Sequence, residues 1–82
     1  MAELIQAYKE TLHVAGGEEY SAFVFGEERA DGNWEGWLEF RSASGTVLHT
    51  GRETTQPNRG ALEYWASGLE SVYLEGAFKR AA

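Results

Sequence analysis

Cysteine is absent from this chain, proline occurs once, and basic side chains are outnumbered by acidic ones, 7 to 13. Without a thiol there is no disulfide scaffold, no thiolate zinc site and no thiol redox chemistry. The deficit of base leaves a formal charge of −6, which repels a phosphate backbone and sets nucleic acid aside as a partner. Long apolar runs are missing as well. The longest, Ala22 to Phe25, is far too short for a membrane span or a signal-peptide core, and no basic leader opens the sequence. The expectation is a cytoplasmic protein with no membrane partner.

What is present is a chain of 82 residues, 43% hydrophobic and 13% aromatic, apolar enough to require a packed core. No linker or repeat divides it, so residues 1–82 read as a single domain. A domain of this size buries only about 60–65% of the surface its unfolded chain exposes. Its stability must come from packing or from a partner subunit. Charge is uneven: Met1 to Asn33 carries seven acidic and two basic residues, Trp34 to Ala82 six and five, so the acidic surface belongs to the first part of the chain.

Three turn signals, Ala15 to Glu19, Ala30 to Asn33 and Ser42 to Gly45, cut the middle of the chain into strand-length pieces. Asp31-Gly32 is the strongest, because tight hairpin turns need residues that tolerate positive φ. Strands are predicted at Tyr20 to Arg29, Trp34 to Arg41 and Thr46 to Glu53. From Pro57 to Ser67 the period changes: Leu62, Trp65, Ala66 and Leu69 fall at i, i+3, i+4 and i+7, the buried stripe of a helix. Pro57 suits its first turn, Gln56 or Asn58 could cap it, and Gly68 is placed to end it in a left-handed conformation, with Leu69 folding back toward Tyr64. In Val72 to Phe78 the alternation of Val72, Leu74 and Phe78 with Tyr73, Glu75 and Lys79 predicts a last strand. The first segment fits two patterns. Leu4, Tyr8 and Leu12 are spaced as on a helix, yet Tyr8, Leu12 and Val14 alternate toward a Gly-Gly turn, which favours a strand near Ala7 to Val14. The predicted fold class is α+β: a small antiparallel meander with one helix near 57–68 and a strand after it.

Over DGNWEGWLEF (Asp31 to Phe40), GRETTQPNRGALEYWASGLE (Gly51 to Glu70) and VYLEGAF (Val72 to Phe78) the sequence resembles a family of short, uncharacterised bacterial proteins. The resemblance implies a free-standing bacterial domain and carries no activity or site residue.

The chemistry-bearing residues are sparse. Neither a Walker-type phosphate loop nor a dinucleotide-binding glycine pattern occurs. His13 and His49 have no carboxylate at metal-ligand spacing, which predicts no metal site and no cofactor. The one aspartate, Asp31, sits in a turn, so no serine has an evident base and orienting acid. No catalytic residue is assigned and the chain is read as a non-enzyme. Glu18-Glu19 and Glu27-Glu28 read as solvated charge, since adjacent strand residues face opposite ways. Gly36 and Gly76 stand between bulky residues, where a ring or backbone could approach closely.

Two binding readings follow. In the first, the strand from Trp34 places Trp34, Leu38 and Phe40 on one face and Trp37 among Glu35, Glu39 and Arg41 on the other. Phe23 and Phe25 make their strand apolar on both sides, and Tyr73 falls on the polar face of the predicted last strand. One helix covers one face, so the second must be covered either by the amino-terminal segment folded as a helix or by a partner. Trp37, Tyr73, Phe23 and Phe25 are therefore candidate interaction residues of a homodimer or of a complex with another protein. The alternative is a small-anion site at the strand–helix junction, built from Arg52, Thr55, Asn58 and Arg59 around the helix N–H groups, where the competing role of these residues is capping and ion pairing.

Overall fold

The computed structural model describes residues 1–14 and 16–82. Its elements are β1 (Glu3–His13), β2 (Glu19–Glu28), β3 (Trp34–Ser42), β4 (Val47–His49), β5 (Thr54–Gln56), α1 (Arg59–Ser67) and α2 (Ser71–Arg80). The five strands form one antiparallel sheet in the order β1-β2-β3-β4, with β5 also on β3. This is a small α+β fold with two helices.

The long strands follow the alternation of their side chains. Along β2 the odd-numbered residues from Ser21 to Glu27 are half-buried while Tyr20, Ala22, Val24 and Gly26 are buried, and in β3 the buried set is Trp34, Gly36, Leu38 and Phe40. The hairpin between them pairs Glu28 with Trp34 and closes on Arg29 N donating to Asn33 O at 2.7 Å. Inside that closure Asp31 Oδ1 accepts from Asn33 N at 3.0 Å and Gly32 takes φ 87°. The next hairpin repeats the geometry, with Ser42 N bonded to Thr46 O at 3.0 Å and Gly45 at φ 96°. Both are turns in which a glycine at positive φ restores the strand twist.

Residues 3–13 take the strand alternative, so no amino-terminal helix covers the sheet. The strand expected at Thr46 to Glu53 is interrupted. β4 pairs with residues 39–41 and β5 with residues 34–36, and between them the chain stands off β3 at Gly51 and Arg52, with Glu53 N again donating to Gly36 O at 2.8 Å. Thr50 makes the interruption tolerable: buried to 3%, its N–H donates to Leu38 O at 2.9 Å, and its hydroxyl accepts from Leu38 N at 3.1 Å and donates to Gly51 O at 2.7 Å. No backbone group of Leu38 is orphaned.

Helix α1 is where the 3.6-residue period put it. Asn58 is the N-cap, its side chain accepting from Ala61 N at 2.8 Å, and Leu62 and Ala66 are fully buried. Two details differ. Pro57 stands ahead of the cap, outside the first turn, and Gly68 ends the helix at φ −93° through bonds to Trp65 and Ala66 carbonyls, without a left-handed residue. Leu62 seats against Gly26 and Gly36, which face each other across β2 and β3. A Cβ on Gly36 would lie 2.7 Å from Leu62 Cδ1, and one on Gly26 would collide with Leu62 Cδ2. Gly36 is thus the close approach its position predicted, whereas Gly76 has only the end of Arg80 nearby.

The predicted last strand is helix α2. Leu74, Ala77, Phe78 and Ala81 share one side at i, i+3, i+4 and i+7 and join the core cluster, the Phe78 ring lying against Tyr20 and edge-on to Phe40 with centroids 5.0 and 5.1 Å away. Both sheet edges already have their strands, and β2 still needed cover at the Tyr20 end. A helix supplies that cover and a sixth strand would not.

Candidate functional site

Both helices lie on the face of the sheet that carries Val24, Leu38 and Phe40, so among the described residues no layer lies above the opposite face. Register places Phe25 opposite Trp37, Phe23 opposite Glu39 and Ser21 opposite Arg41, with Leu4 and Ala7 of β1 beyond Phe25 and Phe23. On the far side, His49 stands opposite Glu39 and Val47 opposite Arg41. These side chains share one surface because directly paired residues point the same way. Phe23, Phe25 and Trp37 are each half-buried by their neighbours, and Leu4 and Val47 are 50% exposed.

Arg41 lies over this stripe. Its guanidinium is 5.1 Å from the Phe23 ring centre and 5.5 Å from that of Phe25, and it pairs with Glu39 at 2.5 Å. The arrangement is a cation–π contact fixed in place by an ion pair. Beside it the bulge at Gly51 and Arg52 leaves a cleft of about 440 Å³ with Trp37 in its lining, Glu35 and Glu39 on either side along β3, and His49, Thr50, Gly51 and Arg52 as the opposing wall. Strand parity had already grouped Glu35, Trp37, Glu39 and Arg41. The wall was not legible, because the 46–53 alternation reads as an unbroken strand.

Tyr73 belongs to neither surface. As part of α2 it lies on the helix side, edge-on to Trp65 with centroids 5.9 Å apart, and its place on the open face is corrected accordingly. Its hydroxyl donates to Glu53 Oε1 at 2.6 Å, and Arg80 Nη2 donates to the same oxygen at 2.5 Å. Burial pushes the Glu53 carboxyl up, but the hydrogen bonds from Arg80 and Tyr73 outweigh it and hold the group below the usual carboxylate range. Tyr73 is pushed up to about 12, first by burial and then by its bond to Glu53. Tyr8, whose hydroxyl donates to Ala66 O at 2.6 Å, is likewise pushed to about 12 by burial.

Both tyrosines hold their protons more tightly when folded. Their contribution to stability is complete below about pH 10 and is lost as pH rises through about 12. The denaturation midpoint is expected to stay level toward pH 10 and to fall above it, with tyrosinate absorbance rising late. Changing both Tyr8 and Tyr73 to Phe should flatten that fall. An equally steep fall in the double variant would show that these hydroxyls do not carry it.

The four residues of the anion reading are not gathered. Asn58 spends its side chain on Ala61 N, and Arg59, on the helix side, pairs with Glu3 and Glu63 and lies 5.5 Å from the Trp34 ring centre. Thr55 is exposed on β5 opposite Glu35, on the open face whose Trp37 cleft Arg52 lines, away from Arg59. His13 and His49 stand on β1 and β4, at opposite ends of the strand order. Among the described residues no group of three or more His, Asp or Glu side chains is placed to hold a metal ion, and no helix is long and apolar enough to cross a membrane. Comparison with known protein families, with curated proteins and with solved structures finds no match to this chain.

Proposed function

We propose that this chain is a non-catalytic protein-interaction module that associates with a second copy of itself through the open sheet face carrying Phe23, Phe25 and Trp37. One observation supports the reading above all. Two helices bury one face of the sheet and none lies on the other, although that other face bears three large aromatic side chains. Aromatic patches ringed by charge are surfaces that proteins use to bind, with tryptophan enriched among the anchoring residues. The nine residues of β3 span ~30 Å and four strands ~19 Å. Stacking two such faces therefore buries about 1,100 Å² in total, near the lower bound for a specific interface. The reading is of a cytoplasmic bacterial protein, with the acidic surface disfavouring nucleic acid.

Sedimentation across low-micromolar to submillimolar concentration tests it. The native chain is expected to show a concentration-dependent dimer, weakened at least about tenfold by Trp37→Ser, the loss typical of a central aromatic anchor. A native chain that stays monomeric throughout, or a dimer indifferent to the substitution, overturns the proposal.

A further inference from the structure

Four of the five arginines are satisfied within the chain: Arg29 by Asp31 and Glu35, Arg41 by Glu39, Arg59 by Glu3 and Glu63, and Arg80 by Glu53. Arg52 differs. Exposed at the rim of the cleft, it makes no ion pair, side-chain hydrogen bond or aromatic contact among the described residues. Next to it, the same cleft offers what a guanidinium seeks: the indole of Trp37, the best aromatic partner for a cation, between Glu35 and Glu39 on one strand face. The Glu35 carboxylate is only loosely held, 3.5 Å from Arg29 and 33% exposed.

A cation and a site for it thus stand side by side on one surface and do not meet within one chain. A surface that carries both halves of a contact is self-complementary, which is what a two-fold interface requires, since residue i then meets residue j and j meets i. Resting on the proposed self-association, we infer that the two faces stack about a two-fold axis passing close to Trp37, with Arg52 of each copy lying on Trp37 of the other between Glu35 and Glu39. The bulge is what makes this reachable. Gly51 and Arg52 stand off β3, so Arg52 can project across the ~10 Å that separates stacked sheets.

Charge reversal in trans tests the arrangement. Arg52→Glu and Glu35→Lys are each expected to weaken the homodimer at least tenfold in sedimentation, because each places two like-charged contacts at the axis. An equimolar mixture of the two variants should associate with near-native affinity, since in that pair one contact is native and the other is its reversed equivalent. Circular dichroism of each variant shows that the fold is kept. If the native dimer forms and Trp37→Ser weakens it, while Arg52→Glu does not or the mixture fails to recover, the Arg52 contact is overturned and the face-to-face reading stands. A native chain that never dimerises overturns both.

Discussion

Leu62→Ala is expected to destabilise the fold by about 3 kcal/mol, within the range for deleting a fully buried leucine side chain. For a domain of this size that is a large part of a total of about 5–15 kcal/mol, and it should lower the melting temperature by about 15 °C. The loss is large because Leu62 has no exposed surface and fills the notch over two glycines, where backbone atoms have little freedom to move in and close the cavity. The reciprocal change should show the same contact. Gly36→Ala places a Cβ 2.7 Å from Leu62 Cδ1 and 3.2 Å from Thr54 Cγ2, and is expected to cost about 2 kcal/mol in the native background, as overpacking does. In the Leu62→Ala background the cost should shrink markedly, because the principal clash is gone. Denaturant titration of the four chains gives the coupling, and strict additivity would contradict the socket.

Phe40→Ala is expected to have the largest effect of any single truncation, about 4 kcal/mol. Phe40 is fully buried on β3, and its ring and that of Tyr20 grip Phe78 of α2 at 5.1 and 5.0 Å. Removing it takes away buried area and also the contact by which α2 is held on the sheet. Helical circular dichroism should therefore fall at lower denaturant concentration in this variant than in the native chain. A loss below 1 kcal/mol would mean that α2 is anchored elsewhere, for instance through Tyr73, Glu53 and Arg80.

These two residues also mark what was readable in the sequence. β2 and β3 alternate cleanly, a two-residue signal marks their turn, and the face assignment of Trp37, Phe23 and Phe25 follows from parity alone. The stripe of Leu62 and Ala66 was equally plain, being a local property of α1, while the cap was narrowed only to Gln56 or Asn58. The region 72–80 misled for a physical reason. Val72, Leu74 and Phe78 alternate, but Val72 is 76% exposed, and the side chain that completes the helical stripe, Ala77, is too small to register as core in a pattern of large apolar residues. Tyr73 was carried to the wrong surface with it. The bulge at Gly51 and Arg52 could not be read either, since it depends on which β3 carbonyls and amides are in reach, as does the hydroxyl of Thr50 that stands in for a backbone acceptor. The glycine pair was half legible. Gly36 drew notice from its bulky neighbours, but its pairing with Gly26 exists only in the register of the hairpin.

That register has a consequence for the order in which the molecule comes together. Gly26 and Gly36 are separated by a hairpin closing at Asp31-Gly32, so zipping β2 to β3 uses only contacts between chain neighbours and involves little loop closure. Before the zipper reaches them the two glycines are merely two flexible points in the chain. Once they are level, they form the one depression into which Leu62 fits, and α1 has a seat only from that moment. The expected order of assembly is therefore turn, then sheet, then helix, with a pair of missing side chains as its timing mark, and φ-values higher around Asp31 than at Leu62 would show it.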